Sequence, residues 1–349
     1  MLANIAQSLG KHISQEKLAG VQYRRANDES IFKGISGGAE LPRGIVVAVI
    51  LAGSLAMLSS RLALFCLSLK SNECSIFLTK PSMPTPHPFD QAISLTRGED
   101  DLFYGHTSEH YWNAISPFGG TTVATLLQAI LTHPRRLGDP LALTVNFAGP
   151  IKKGPFTARV HPVRTSRSTQ HWQMEIRQGE DSEPVITGTA VFAVRRETWS
   201  DTESKLPEVA GPEGLASYVR PVAVPFLQMY DLRYADCDPL GGSESSVTQC
   251  WISDVPERVI DFPAIAAYCD VFVPRVFVRK GAPIPIATVT LSINFHVDNA
   301  MLAQHEGTQA FGKAKANAFN GGFYDQEAQL WSRDGTLLAT THQLVWFRD

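Results

Sequence analysis

An internal duplication limits what this chain can become more than any other feature. Leu143-Thr-Val-Asn-Phe147 is echoed by Leu291-Ser-Ile-Asn-Phe295, each preceded by a helical stretch and followed by short alternating strands. The first helix is expected over 119–132, where Val123, Leu126, Leu127, Ile130 and Leu131 recur at helical spacing behind the pair Gly119 and Gly120. The second is expected over 262–277, opened by a proline and strained at Pro274. The series close with similar strands, Val185 to Arg195 and Leu337 to Phe347. One helix with about five strands, made twice, implies an α+β fold in which each half packs a helix on an antiparallel sheet.

At 349 residues the chain is long enough for two such cores. A first domain is expected over 87–196 and a second over 221–349. The linker between them, 197–220, is rich in Glu, Pro, Ser and Gly and poor in apolar residues. A formal net charge of −3 offers no positive field for nucleic acid, and the basic, aromatic stretch from Arg159 to Arg177 reads as solvated strand faces. The five cysteines are odd in number and lack a CxxC pair, which points to reduced thiols in a cytoplasm. The ten histidines include no HExxH, so no metal is expected.

Residues 1–82 stand apart from the repeat. Within them, 44–69 is the one segment near the length of a membrane span, interrupted by Arg61 and flanked by Lys33, Arg43 and Lys70. A membrane anchor is one reading of it. A signal peptide is disfavoured, because the apolar run starts far from Met1 and no clean cleavage site follows. The third and favoured reading is that 1–82 lies outside the functional protein, with a start at Met83 just before the first globular pattern.

Several strings carry a family likeness. In the first half they are Tyr111-Trp-Asn, Phe118-Gly-Gly120 and Phe147-Ala-Gly-Pro-Ile-Lys-Lys-Gly154. In the second they are Ala267-Tyr-Cys-Asp270, Ile286-Ala-Thr288 and Leu338-Ala-Thr-Thr-His-Gln343. In this order and spacing, residues 87–349 resemble the acyl-CoA thioesterase II type of double hotdog. That resemblance implies a long helix wrapped by a curved antiparallel sheet in each half, and hydrolysis of an acyl-CoA to free acid and CoA. It also implies that Asp270, Thr288 and Gln343 hold and activate a water, so that no cofactor is required. Fused hotdogs satisfy internally the pairing that single ones seek in a second chain, though members of the family commonly associate further into homo-oligomers.

Asp270 also stands out on physical grounds. It is the one charged residue between Asp261 and Arg275, in a helix apolar on nearly every side, where an ionised carboxylate is costly unless satisfied. The competing reading is a core aspartate bonded to nearby backbone or to Arg275. Strict alternation from Thr288 to His296 puts Thr288 on the polar side of its strand, although strand ends can depart from the pattern. Gln343 falls opposite Val191 when the ends of the two closing strands are matched, an amide where the duplicate has an aliphatic. Either residue could instead be an ordinary strand position.

The halves are unequal, since 111–138 contains no Asp or Glu and Pro140 aligns with Thr288, which leaves one hydrolytic site. Gly119 and Gly120 could lend backbone N–H groups to an oxyanion, or could simply permit close packing. Two rival functions remain. One is a non-catalytic acyl-CoA or acyl-chain binding protein. The other is hydration of enoyl-CoA, for which Asp236-Cys-Asp238-Pro239 lacks a nearby histidine. A nucleophilic hydrolase is disfavoured: there is no GxSxG elbow, and Cys269 has no evident histidine partner.

Overall fold

The computed structural model describes residues 49–50, 64–65 and 85–349, the last without 180–181, 219–223, 237 and 306. The chain divides into two compact units, Met1–Pro84 and Thr85–Asp349. In the first, strands β1 (Val49–Ile50) and β2 (Leu64–Phe65) pair antiparallel. The remainder of the candidate membrane segment 44–69, and the candidate start at Met83, lie outside the described residues. Among the described residues, no helix is long and apolar enough to cross a membrane.

The second unit is built on one antiparallel sheet. Its first half contributes β3 (Thr96–Arg97), β4 (Leu102–His106), β5 (Asp139–Phe147), β6 (Pro155–Thr165), β7 (Thr169–Arg177) and β8 (Ile186–Ala193). Its second half contributes β9 (Tyr230–Tyr234), β10 (Thr248–Asp254), β11 (Ile286–Phe295), β12 (Gln309–Lys315), β13 (Phe319–Asn320), β14 (Phe323–Ser332) and β15 (Leu337–Phe347). The order across the sheet is β3-β4-β6-β7-β8-β5-β11-β15-β14-β12-β10-β9, with β13 on β14. The duplicated strands β5 and β11 therefore meet at the centre. Thr144 faces Ser292, its repeat equivalent, and their hydroxyls lie 3.1 Å apart, so the two halves join about a local pseudo-two-fold at that pair.

Among the described residues, the α-helices beside the sheet are α1 (Pro88–Ala92), α2 (Gly119–Leu131), α3 (Phe262–Tyr268), α4 (Arg275–Lys280) and α5 (Asn299–Gln304). Helices α2 and α3 pack on each other and share one continuous core with both halves of the sheet. Nearly all of α2 is buried, as expected for a helix apolar on most faces. This is the tandem hotdog architecture read from the repeat.

The second helix departs from expectation. It is not continuous over 262–277 but breaks after Tyr268, and α4 begins only at Arg275. Pro274 supplies the reason: it lacks an N–H, and its ring pushes the preceding residue out of helical conformation. Asp270 sits in the break. The segment 197–220 also does more than connect. Trp251, Phe311 and Trp331 form an aromatic row across β10, β12 and β14, covered by Leu206, Val209 and Leu215. The Trp251 indole donates to the Ala210 carbonyl at 2.9 Å.

Because Leu127 is fully buried in the shared core, Leu127→Ala is expected to lower unfolding free energy by about 2–5 kcal/mol. Urea denaturation checks this, and a change under about 1 kcal/mol would show that α2 is not packed as described.

Candidate active site

Helix α2 starts without a side-chain cap, since Phe118 precedes it and offers none. The Asp270 carboxylate takes that place. The Gly120 N–H donates to it, so a carboxylate from the second half caps the helix of the first. The glycine pair makes the approach possible. A Cβ on Gly119 would meet Asp270 Oδ2 at 2.6 Å, and one on Gly120 would meet the Ala267 carbonyl oxygen at 2.6 Å. The packing role of these glycines is thus real, and the Gly120 N–H is already engaged by Asp270.

From the sheet side, Gln343 on β15 reaches the same carboxylate. Its Nε2 donates to Asp270 Oδ1 at 2.7 Å and to the Cys269 carbonyl at 3.3 Å. Two acceptors on the nitrogen fix the amide's orientation and turn Oε1 away from them. The alternative partner for Asp270 considered from sequence, Arg275, gives hydrogen bonds elsewhere. It is fully buried and donates to Gln326 Oε1 at 3.0 Å, Thr248 Oγ1 at 2.7 Å and the Ser246 carbonyl at 2.9 Å, among others.

Thr288 makes no hydrogen bond to Asp270 or Gln343 among the described residues, and its orientation follows a route that alternation does not reveal. The pairing of β11 with β15 slips between Thr288 and Thr290, leaving Val289 as a bulge. Cross-strand partners share a face, and Thr288 lies opposite Val345 while Leu291 lies opposite Gln343. Val345 and Gln343 are both buried, so the bulge turns Thr288 onto the inner face, against the simple parity expectation. The same slip recurs in the first half between Pro140 and Ala142 of β5. There Leu143, the equivalent of Leu291, lies opposite Ala190. The counterpart of Gln343 is therefore Ala190 and not Val191; matching strand ends by sequence missed it by one residue.

The electrostatics follow from this enclosure. Burial pushes the Asp270 carboxyl up to about 7, while the bonds from Gln343 and the Gly120 N–H pull it down. The residue as a whole nevertheless keeps partial exposure. Burial drives the neighbouring Cys269 thiol far up, which disfavours a thiolate nucleophile. A second carboxyl, Asp254 at the end of β10, is also pushed up to about 7 by burial, and the Arg258 charge, followed by the Tyr268 hydroxyl, opposes that shift. Sequence gave no reason to single it out. The motif around Asp236 and Asp238 is structural: Asp236 accepts from Gln249, and Asp238 from the Leu240 N–H in a turn.

Known proteins agree with this architecture. Residues 108–193 match the model of the acyl-CoA thioesterase N-terminal domain, and 201–347 match that of the C-terminal domain. A crystal structure from Alicyclobacillus acidocaldarius, described as a conserved protein of unknown function with hot dog fold, is 43% identical with a TM-score of 0.73. That match covers 76% of this chain and 99% of the other. A putative thioesterase II from Thermobifida fusca YX shares the fold at 16% identity and a TM-score of 0.66, over 75% of this chain and 97% of its own. An acyl-CoA thioesterase II from Mycobacterium marinum does so at 17% and 0.59, over 74% and 98%. Among curated proteins, none matches. The chain belongs to the double hotdog acyl-CoA thioesterase-like family, and this membership supports acyl-CoA thioesterase activity at the level of the family.

Carboxyl carbon NMR is expected to show Asp270 titrating near 7. Gln343→Leu should move the midpoint higher, because Gln343 stabilises the charged form; a midpoint near the ordinary value of about 4 would refute the enclosure.

Proposed function

We propose that this chain hydrolyses acyl-CoA thioesters with a water held by Asp270, Thr288 and Gln343, and that Asp270 is the general base. The single observation carrying the reading is the Asp270 carboxylate, enclosed by the core, on a residue that keeps partial exposure, and joined at 2.7 Å to the amide of Gln343 from β15. An acid held near 7 can act as a base at neutral pH and still release its proton. In this mechanism the water's oxygen adds to the thioester carbonyl carbon as its proton passes to Asp270. The tetrahedral adduct then collapses, the C–S bond breaks, and the proton passes on to the departing thiolate. Gln343 Oε1 accepts from the water's second hydrogen and the Thr288 hydroxyl donates to its oxygen, and together they aim it. Because water attacks directly, no acyl-enzyme forms and no cofactor takes part. Cys269 as a buried, unactivated thiol fits that scheme and a reducing, cytoplasmic setting.

Family membership and the asymmetry of the halves favour catalysis over passive binding. The acid of one half has no counterpart in its duplicate, which carries no acid in 111–138, and a lone enclosed carboxyl with a raised pKa is what a general base needs and passive binding does not.

With an acyl-CoA substrate, Asp270→Asn should lower kcat by about 100- to 10,000-fold, the usual span for loss of a general base. Thr288→Val and Gln343→Ala should each cost about 10- to 100-fold, with less than additive losses when combined, since they hold one water. Full activity in Asp270→Ala, or tight acyl-CoA binding without turnover in the wild type, would reject the reading. The base must be ionised, so kcat should rise with pH up to about 7 and level off above it.

A further inference from the structure

Gln343 has a neighbour that neither the sequence motifs nor the family likeness singled out. Gln326 on β14 lies directly opposite it, and both side chains are buried on the same inner face. Side chains so paired stand about 5 Å apart at Cβ. The Gln326 amide has a set orientation: Arg275 donates from Nε to Gln326 Oε1 at 3.0 Å, and a flipped amide would put donor against donor. Arg275 cannot easily move. It is fully buried, with further bonds to Thr248 Oγ1 and to the carbonyls of Ser246, Ala314 and Val273.

That clamp holds the oxygen end of the Gln326 amide and leaves Nε2 as the unclamped end. The nitrogen has no hydrogen-bond acceptor among the described residues. It is also not sealed in, unlike the closed-off hydroxyls of Tyr230 and Thr341. Two amides thus lie side by side with opposite ends available. Gln343 is held by its nitrogen and presents oxygen, while Gln326 is held by its oxygen and presents nitrogen. An acceptor suits the hydrogens of an attacking water. A donor suits the oxygen of the group under attack.

We propose that Gln326 is a further catalytic residue, whose Nε2 donates to the thioester carbonyl oxygen, with Arg275 as the residue that positions it. The proposal rests on the Asp270 reading above. As the water's oxygen bonds to the carbonyl carbon, the electron pair of the C=O bond moves onto that oxygen, and a fixed donor there stabilises the growing charge. The need is specific to this site, because the Gly120 N–H, one candidate for the task, already serves Asp270.

Two variants that share only the loss of the NH2 group provide the test: Gln326→Met, which keeps length, and Gln326→Glu, which can still pair with Arg275. Each is expected to lower kcat by about 100-fold, as removal of one oxyanion donor does. Binding of an acyl-CoA thioether, which has sulfur but no carbonyl oxygen, should stay within about two-fold of wild type in both. A kcat within about two-fold of wild type in either variant overturns the proposal. So does an equal loss of thioether binding, which would make Gln326 structural. Asp270→Asn separates the two readings: if it abolishes turnover while the Gln326 variants do not, this inference alone fails.

Discussion

The site depends on one electrostatic arrangement: a carboxylate from the second half capping the uncapped helix of the first. Helix α2 begins behind Phe118 with unsatisfied N–H groups and the positive end of its dipole, and Asp270 answers both. The same carboxylate lies just past the C-terminal end of α3, where the helix dipole disfavours negative charge, and in an apolar interior that disfavours it more. Opposed influences of this kind hold an acid near neutrality. They also bind the halves together, since neither repeat alone carries both the acid and the helix end it caps.

Everything else around Asp270 reads as support for that cap. The break after Tyr268, imposed by Pro274, frees the chain to turn the carboxylate toward α2. Glycines at 119 and 120 clear the space. Gln343 bridges the terminal carbonyl of Cys269 and the carboxylate, tying the end of α3 to the sheet. Behind it, Arg275 and Gln326 extend an ordered polar layer beneath the core. Buried polar groups are expensive unless satisfied, and most of these are satisfied by one another.

How much of this was legible in sequence depends on the kind of information each feature carries. The duplication, the helix at 119–132 and the antiparallel sheet follow from spacing and turn residues, which are local. Asp270 was legible because a lone charge in an apolar stretch is anomalous wherever it occurs. The inward turn of Thr288 was not, because a bulge at Val289 reverses parity and leaves no local mark beyond a slip in pairing. The counterpart of Gln343 was misplaced by one residue for a related reason: strand ends do not set register. Gln326 could not be found at all, since its meaning comes from lying opposite Gln343 and beside Arg275, both distant in the chain. The Gly120 N–H is a backbone group, and no side-chain pattern reports it.

The most direct test is a high-resolution crystal structure with a bound acyl-CoA analogue that cannot be hydrolysed. The account predicts a water bonded at once to Asp270, the Thr288 hydroxyl and Gln343 Oε1, within about 3–3.5 Å of the carbon that replaces the thioester carbonyl. An analogue seated with that carbon away from Asp270, or a Thr288 side chain turned out to bulk solvent, would contradict it.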